Sequence, residues 1–140
     1  MKRKIIAVLL TALLLLTAAA CGGQTAPPAP SGALPPAAYQ IGAGDTVFRF
    51  EVIDAEGVLT AWDVYTDEET VGAALLAVGL IAGDMTAFGL MVTTVNGVTA
   101  DFDADGAFWA FYVDGDFAMA GVDATDIEPG VTYAFVYTRG

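Results

Sequence analysis

Three aspartates at alternate positions form the pattern in this chain that comes closest to a chemical motif. Asp101, Asp103 and Asp105 are followed by Gly106, and acids at positions 1, 3 and 5 with glycine at position 6 make the first half of a calcium-binding loop. The second half is not matched, because the twelfth position is Tyr112, where such loops supply a bidentate glutamate. Aspartates also favour turns between strands, so the sequence leaves open whether this segment binds calcium.

The chain offers few other reactive side chains. It has one cysteine (Cys21), one serine (Ser31) and no histidine, and its lysines are confined to the first four positions. Beyond that N-terminal segment, catalysis that depends on histidine or lysine is therefore excluded. Carboxylates are numerous, but no spacing singles out an acid/base pair, and the sequence predicts a protein that is not an enzyme.

The charge of the chain is strongly divided along its length. All 17 acidic residues lie at Asp45 or later, whereas three of the five basic residues lie among the first four positions. Without its N-terminus the chain carries a formal charge of 2 − 17 = −15. Such a surface repels phosphates because it has almost no positive charge to neutralise them. Nucleic acid, anionic lipid headgroups and phosphorylated substrates are therefore poor partners.

The N-terminus has the layout of a secretory signal. Lys2-Arg3-Lys4 precedes the apolar stretch Ile5–Ala20, which is short for a bilayer span of about 20 residues and predicts a signal peptide over residues 1–20. The stretch Leu16–Cys21 resembles the lipobox of bacterial lipoproteins. That resemblance implies cleavage before Cys21, lipidation of its thiol and anchoring in the lipid bilayer on the extracytoplasmic face of a bacterial cell membrane. A plain signal peptide with an incidental cysteine is the alternative.

Residues 21–44 differ in composition from the rest of the chain. They hold five of the six prolines, together with glycine, alanine and small polar residues, and such a segment buries too little apolar area to offset its ordering entropy. We predict a tether over residues 21–44. Fourteen of the fifteen aromatic residues follow it, which places the single folded domain at residues 45–138.

The pattern within that domain predicts strands, one helix and further strands. Thr70 is positioned to cap the helix, and Gly79 or Gly83 to end it. The dipeptides Asn96-Gly97 and Asp114-Gly115 predict hairpin turns. The predicted strands are Val47–Val52, Leu59–Tyr65, Leu90–Val95, Val98–Phe102, Phe108–Val113, Phe117–Met119 and an interior strand Thr132–Tyr137. This order indicates the α+β class, as a small β-grasp-like domain in which one helix packs on a face of a mixed sheet.

Three stretches together resemble a family of bacterial lipoprotein domains named for their similarity to the carboxy-terminal domain of transcobalamin and intrinsic factor. They are Thr70–Leu76, Phe88–Gly97 and Phe108–Tyr112 continuing to Gly121-Val122. In the cobalamin carriers this small domain closes over one face of the corrinoid. By position, the resemblance implies a flat apolar ligand contact made by Phe88, Gly89, Leu90, Met91, Trp109 and Phe111. From pattern alone, Phe108–Tyr112 is a core strand.

The resemblance and the anchor together predict a non-catalytic, membrane-tethered ligand-binding module. The implied ligand is cobalamin, another corrinoid or a different flat molecule, which the module would pass to a membrane transporter; no covalent cofactor and no metal ligand set is implied. The chain departs from the carriers in lacking their helical barrel, in having Phe88 where they tend to have tryptophan, and in offering no histidine to coordinate cobalt. The alternative function is a cell-surface module for protein–protein interaction or adhesion.

Overall fold

The computed structural model describes residues 38–140. The predicted signal peptide, Cys21 and most of the predicted tether lie outside the described residues. The elements within residues 38–140 are β1 (Tyr39–Gly42), β2 (Thr46–Ile53), β3 (Leu59–Thr66), α1 (Val71–Ala77), β4 (Ile81–Thr86), β5 (Gly89–Val95), β6 (Val98–Thr99), α2 (Phe102–Asp105), β7 (Ala107–Val113), β8 (Asp116–Phe117), a 3₁₀ helix (Val122–Ala124) and β9 (Thr132–Arg139).

Six strands form a mixed sheet in the order β1-β3-β2-β9-β7-β8. β2 pairs with β3 antiparallel and with β9 parallel, and β9 pairs with β7 antiparallel. The last strand therefore lies in the sheet interior, as its two-sided apolar pattern predicts. The domain is small and mostly β, with a mixed sheet and one main helix, which is broadly consistent with the predicted α+β class.

The core lies on one face of this sheet. Phe48, Phe50 and Val52 alternate along β2 and are buried with α1, so the period-2 pattern of the sequence is confirmed. On the opposite face Ile53 pairs with Leu59 and Val136, and all three side chains stay half-buried.

Helix α1 begins and ends at predicted residues. The Thr70 hydroxyl oxygen accepts a 3.2 Å hydrogen bond from the Ala73 amide, which satisfies an amide that has no partner within the first turn. Gly79, at φ +73°, takes the left-handed conformation just after the helix. Gly72 lies against the 3₁₀ helix so closely that a methyl group there would be 2.7 Å from the Asp123 Cα atom.

A second sheet has the order β4-β5-β6. Its β5–β6 turn places Asn96 and Gly97 at φ +48° and +76°, and Asp114 and Gly115 take +48° and +84° between β7 and β8. Positive φ at both central residues is the geometry that such dipeptides favour, so both predicted hairpins are confirmed.

Four elements differ from the sequence prediction. Residues 21–44 were predicted as a tether, but β1 lies within them and pairs with β3. β4 was not predicted, because most of its side chains are exposed and do not alternate between buried and exposed. The strand predicted over Val98–Phe102 ends at Thr99, since Asp101 caps α2. The strand predicted over Phe117–Met119 is reduced to β8.

Within residues 38–140, every helix falls short of the length and apolar character that crossing a membrane requires.

Candidate functional site

Four of the six predicted ligand-contact residues lie together at the β4–β5 turn. The Thr86 hydroxyl closes this turn: it donates a 2.8 Å hydrogen bond to the Gly89 carbonyl oxygen and accepts one of 3.1 Å from the Phe88 amide. The Phe88 side chain is fully exposed, at 101%. Two hydrogen bonds thus hold the backbone of the turn that carries the exposed Phe88 ring.

Gly89 is required by the geometry of the same turn. Its φ is +107°, and a methyl group on it would lie 2.9 Å from a carboxylate oxygen of Asp123. Few side chains adopt that backbone conformation, so this position in the Gly-Leu-Met-Val stretch is explained by local packing against the 3₁₀ helix. Gly89 serves the site by letting the turn form.

The two strands of this hairpin present apolar side chains on both faces. Asp84 pairs with Met91, and Met85 pairs with Leu90, so Met85 and Met91 project to opposite faces. Leu90 packs partly against the core, whereas Met85 and Met91 are 70% and 60% exposed. The hairpin therefore carries three large exposed apolar side chains within seven residues, Met85, Phe88 and Met91.

A cleft of about 400 Å³ lies beside Met91. One wall comes from β5 and β6, and the other from the start of α2, where the Phe102 ring is 64% exposed. The lining residues are Met91, Thr93, Thr99, Ala100, Asp101, Phe102 and Asp103. The residues that line the cleft are thus apolar and polar in mixture, which suits a small apolar group that bears polar substituents.

The other two predicted contact residues are in the core rather than on this surface. Trp109 is 6% exposed and its Nε1–H donates a 3.0 Å hydrogen bond to the Val98 carbonyl oxygen. Phe111 is 8% exposed and stacks on Phe135 with ring centroids 5.1 Å apart. The structure therefore separates the six residues into a surface group at 88–91 and a buried pair on β7. Trp109 thus connects β7 to β6, the strand next to β5.

The aspartate segment folds as a helix rather than as a calcium loop. Asp101 Oδ1 caps α2 by accepting hydrogen bonds from the Asp103 and Ala104 amides, and Asp105 accepts from the Ala107 amide and the Tyr137 hydroxyl. Among residues 38–140 no group of three or more His, Cys, Asp or Glu side chains is placed to hold a metal ion. The carboxylates here organise the chain and line the cleft.

A second concavity of about 320 Å³ lies on the opposite sheet face. Arg49 lines it, and its Nε forms a 3.3 Å ion pair with Asp63, while its buried Nη1 has no hydrogen-bond partner among the described residues. This concavity contains none of the predicted contact residues.

Sequence reasoning missed Phe102 and the two threonines of the cleft. Phe102 reads as the last residue of a strand because it continues the alternation from Val98. The signal that marks it as exposed is Asp101, a favourable helix cap that ends the strand before Phe102.

Comparisons with known proteins give a family and a fold. The family model described as "Domain of unknown function (DUF4430)" matches residues 57–139. A "putative metal binding protein" from Ruminococcus gnavus ATCC 29149 has a similar structure, with a TM-score of 0.65 and 24% identity over 69% of this chain and 99% of that chain. Haptocorrin in complex with Cbi is similar with a TM-score of 0.51 and 15% identity, over 66% of this chain and 25% of that chain. At these identities both structures show the fold alone, and no curated protein matches.

Proposed function

This chain belongs to the DUF4430 family, and from that premise we propose that it is a non-catalytic ligand-binding module that presents the β4–β5 hairpin to a flat apolar ligand. A corrinoid is the first candidate, since haptocorrin, which shares the fold, was determined in complex with Cbi. The observation that carries the proposal is the fully exposed Phe88 ring at the tip of a closed turn.

The exposed apolar side chains of the hairpin do not serve the stability of the fold. Burial of a large apolar side chain stabilises a fold by about 1.5–3 kcal/mol, and Phe88 contributes none of this because its side chain is fully exposed. Scattered exposed apolar residues are ordinary, but Phe88 and Met91 are both exposed within four residues of one hairpin, while Met85 projects to its opposite face. Clustered apolar exposure is typical of a binding surface.

The module offers one face for a flat ligand. The part of haptocorrin that matches is 25% of that chain, and a flat ligand seated on the hairpin would have its other face available to a partner. A membrane transporter or another surface protein would cover that face and receive the ligand. Lipidation of Cys21 would hold the module at the extracytoplasmic side of the membrane, where such a transfer takes place.

The test is a titration of the full chain with cobinamide and with cobalamin. Binding is measured by the change in corrinoid absorbance and in tryptophan fluorescence. We expect saturable one-to-one binding, and a loss of affinity of about tenfold in Phe88→Ala, because the ring would bury its apolar surface against the ligand. The matched control is Phe117→Ala, which removes another exposed phenylalanine ring, 61% exposed on β8. If both variants bind as the wild type does, the hairpin is not the contact surface.

One observation favours the alternative function, a protein–protein interaction module. Ile53, Leu59 and Val136 form a cross-strand apolar row on the sheet face opposite the core and remain partly exposed. Binding of a protein partner at this row should be lost in Val136→Glu and retained in Phe88→Ala. Pull-down from the native membrane fraction with these two variants separates this function from ligand binding.

A further inference from the structure

We propose that the concavity around Arg49 is a second binding site, which takes a small zwitterion that carries a carboxylate, an ammonium group and a short apolar side chain, as an aliphatic amino acid does. The concavity lies on the sheet face opposite the core, and none of the residues of the β4–β5 hairpin lines it. Binding here and binding at the hairpin are therefore independent of one another.

The strand register places the polar residues of this concavity in one row. Arg49 pairs with Asp63 on β3 and with Thr132 on β9, and the side chains of paired residues project to the same face of a sheet. In the adjacent row on that face, Val47 pairs with Tyr65. The volume of about 320 Å³ lies at the lower end of the range of about 300–1,000 Å³ that is usual for small-molecule sites. A ligand of a few atoms beyond a carboxylate is thus the right size.

The Arg49 guanidinium has hydrogen-bonding capacity that the domain leaves unused. Its Nε pairs with Asp63 Oδ1 at 3.3 Å, but its Nη1 is buried and finds no hydrogen-bond partner within residues 38–140. A buried donor without an acceptor is unfavourable, and folded proteins rarely keep one. Since 29% of the side chain is exposed, torsional changes in it can turn Nη1 toward a ligand. A carboxylate is the acceptor whose geometry matches a guanidinium best.

The charges around Arg49 disfavour a ligand that carries a carboxylate alone. The Asp63 side chain lies beside the guanidinium and is 34% exposed, and the formal charge of residues 38–140 is 2 − 17 = −15. An anion would be attracted by Arg49 and repelled by Asp63. A zwitterion directs its carboxylate to Arg49 and its ammonium group to Asp63, and it has no net charge for the domain to repel.

The other lining residues suit an aliphatic side chain. Val47 is 45% exposed, and Val131 is half-buried next to Gly130 in the loop that precedes β9. Apolar surface on a ligand would remove the exposed part of these valines from water, which favours binding. Tyr65 and Thr132 carry hydroxyls that can donate or accept hydrogen bonds. The charged pair and the valines together define the ligand as an amino acid of the leucine or valine type.

The experiment is an amide NMR titration of the full chain with leucine, N-acetyl-leucine and leucinamide. Leucine carries both charges, N-acetyl-leucine keeps only the carboxylate, and leucinamide keeps only the ammonium group. We expect saturable shifts of the Asp63, Val131 and Thr132 amides with millimolar leucine, and binding about fivefold weaker for each of the other two probes. The Phe88 amide, on the hairpin, should not shift.

The variant Arg49→Lys tests the guanidinium, because lysine keeps the positive charge but not the planar set of donors. Its affinity for leucine should be about tenfold lower. The matched control is Arg139→Lys, at the other basic residue of the described part of the chain, which is exposed and outside the concavity. That change should leave the affinity for leucine as it is in the wild type.

Four results would overturn the second site: no saturable shift with leucine, equal affinity for either single-charge probe, shifts centred on Phe88, or equal affinity of Arg49→Lys and Arg139→Lys. The comparison of the three probes uses the wild type alone, so it decides the matter even if Arg49→Lys does not fold. Corrinoid binding at the hairpin is measured separately and can fail or succeed without changing any of these outcomes.

Discussion

The Trp109 indole nitrogen donates a 3.0 Å hydrogen bond to the Val98 carbonyl oxygen. This bond joins β7 of the six-stranded sheet to β6 of the three-stranded sheet, so a buried ring fixes the strand that borders the cleft. Trp109 also meets Tyr137 edge to face at 5.3 Å. Trp109, which the sequence resemblance predicts as a ligand contact, is thus buried in the structure and bonded to β6.

Replacement of Trp109 by phenylalanine should therefore reduce stability. We expect a loss of about 2 kcal/mol, because the variant leaves part of a buried site unfilled and removes the hydrogen bond to Val98. Urea unfolding measures it. The control is Trp62→Phe, at a residue buried to a similar extent whose indole makes no hydrogen bond to any described residue. An equal loss at both positions would show that the bond to Val98 contributes nothing.

Removal of the Phe88 side chain should leave stability unchanged. The ring is fully exposed and makes no contact with the buried core, so Phe88→Ala should unfold at the same urea concentration as the wild type, to within about 0.5 kcal/mol. A marked destabilisation would mean that the ring packs against the protein, and would remove the main support for a ligand contact at this turn.

Alanine at position 72 should destabilise the domain although alanine favours helices. Gly72 lies in α1, where alanine normally adds about 1 kcal/mol of stability, but its methyl group would meet the Asp123 backbone at 2.7 and 2.8 Å. We expect a net loss of about 1–3 kcal/mol in thermal or urea unfolding. Gly121→Ala is the matched control, because its methyl group would meet only the movable carboxylate of Asp123 at φ −65°. Similar effects of the two changes would contradict this account of close backbone packing.

Stability should fall at alkaline pH through Tyr133. Burial raises the pKa of the Tyr133 hydroxyl, since desolvation penalises the phenolate. A pKa that is higher in the folded state than in the unfolded state means that the stabilising effect is complete below about pH 10 and is lost as pH rises through the folded pKa.

The variant Tyr133→Phe tests this assignment. It loses the hydrogen bonds with the Asp126 carbonyl and the Glu128 amide, so we expect it to be about 1–2 kcal/mol less stable at neutral pH. Above about pH 10 its stability should fall less steeply than that of the wild type. Tyr39→Phe, on an exposed ring, is the control. Parallel pH profiles for the wild type and Tyr133→Phe would contradict the role of this hydroxyl.

The sequence predicts the central strands well because their apolar residues follow a regular pattern, either on alternate positions or on both faces. β2 alternates, β9 is apolar on both faces, and both hairpin turns carry dipeptides that tolerate positive φ. β4 lacks such a signal, since its register shifts between Ala82 and Gly83 and most of its side chains are exposed. An edge strand of this kind is defined by its partner β5 rather than by its own pattern.

The candidate site is only partly predictable for a related reason. Phe88 and Met91 are only three positions apart in sequence, so one short motif contains both. Phe102 reaches the cleft only because β6 ends at Thr99 and Asp101 begins a helix. An aspartate that caps a helix and one that binds calcium are the same residue type in sequence, and the backbone that follows decides between them.

The central claim is that the β4–β5 hairpin binds a flat apolar ligand, and equilibrium binding of cobinamide to the full chain and to Phe88→Ala tests it most directly. The account predicts saturable one-to-one binding to the wild type and an affinity about tenfold lower for the variant, with unchanged stability of both proteins. Absence of saturable binding by the wild type at high micromolar cobinamide, or equal affinity of the two proteins, would contradict it.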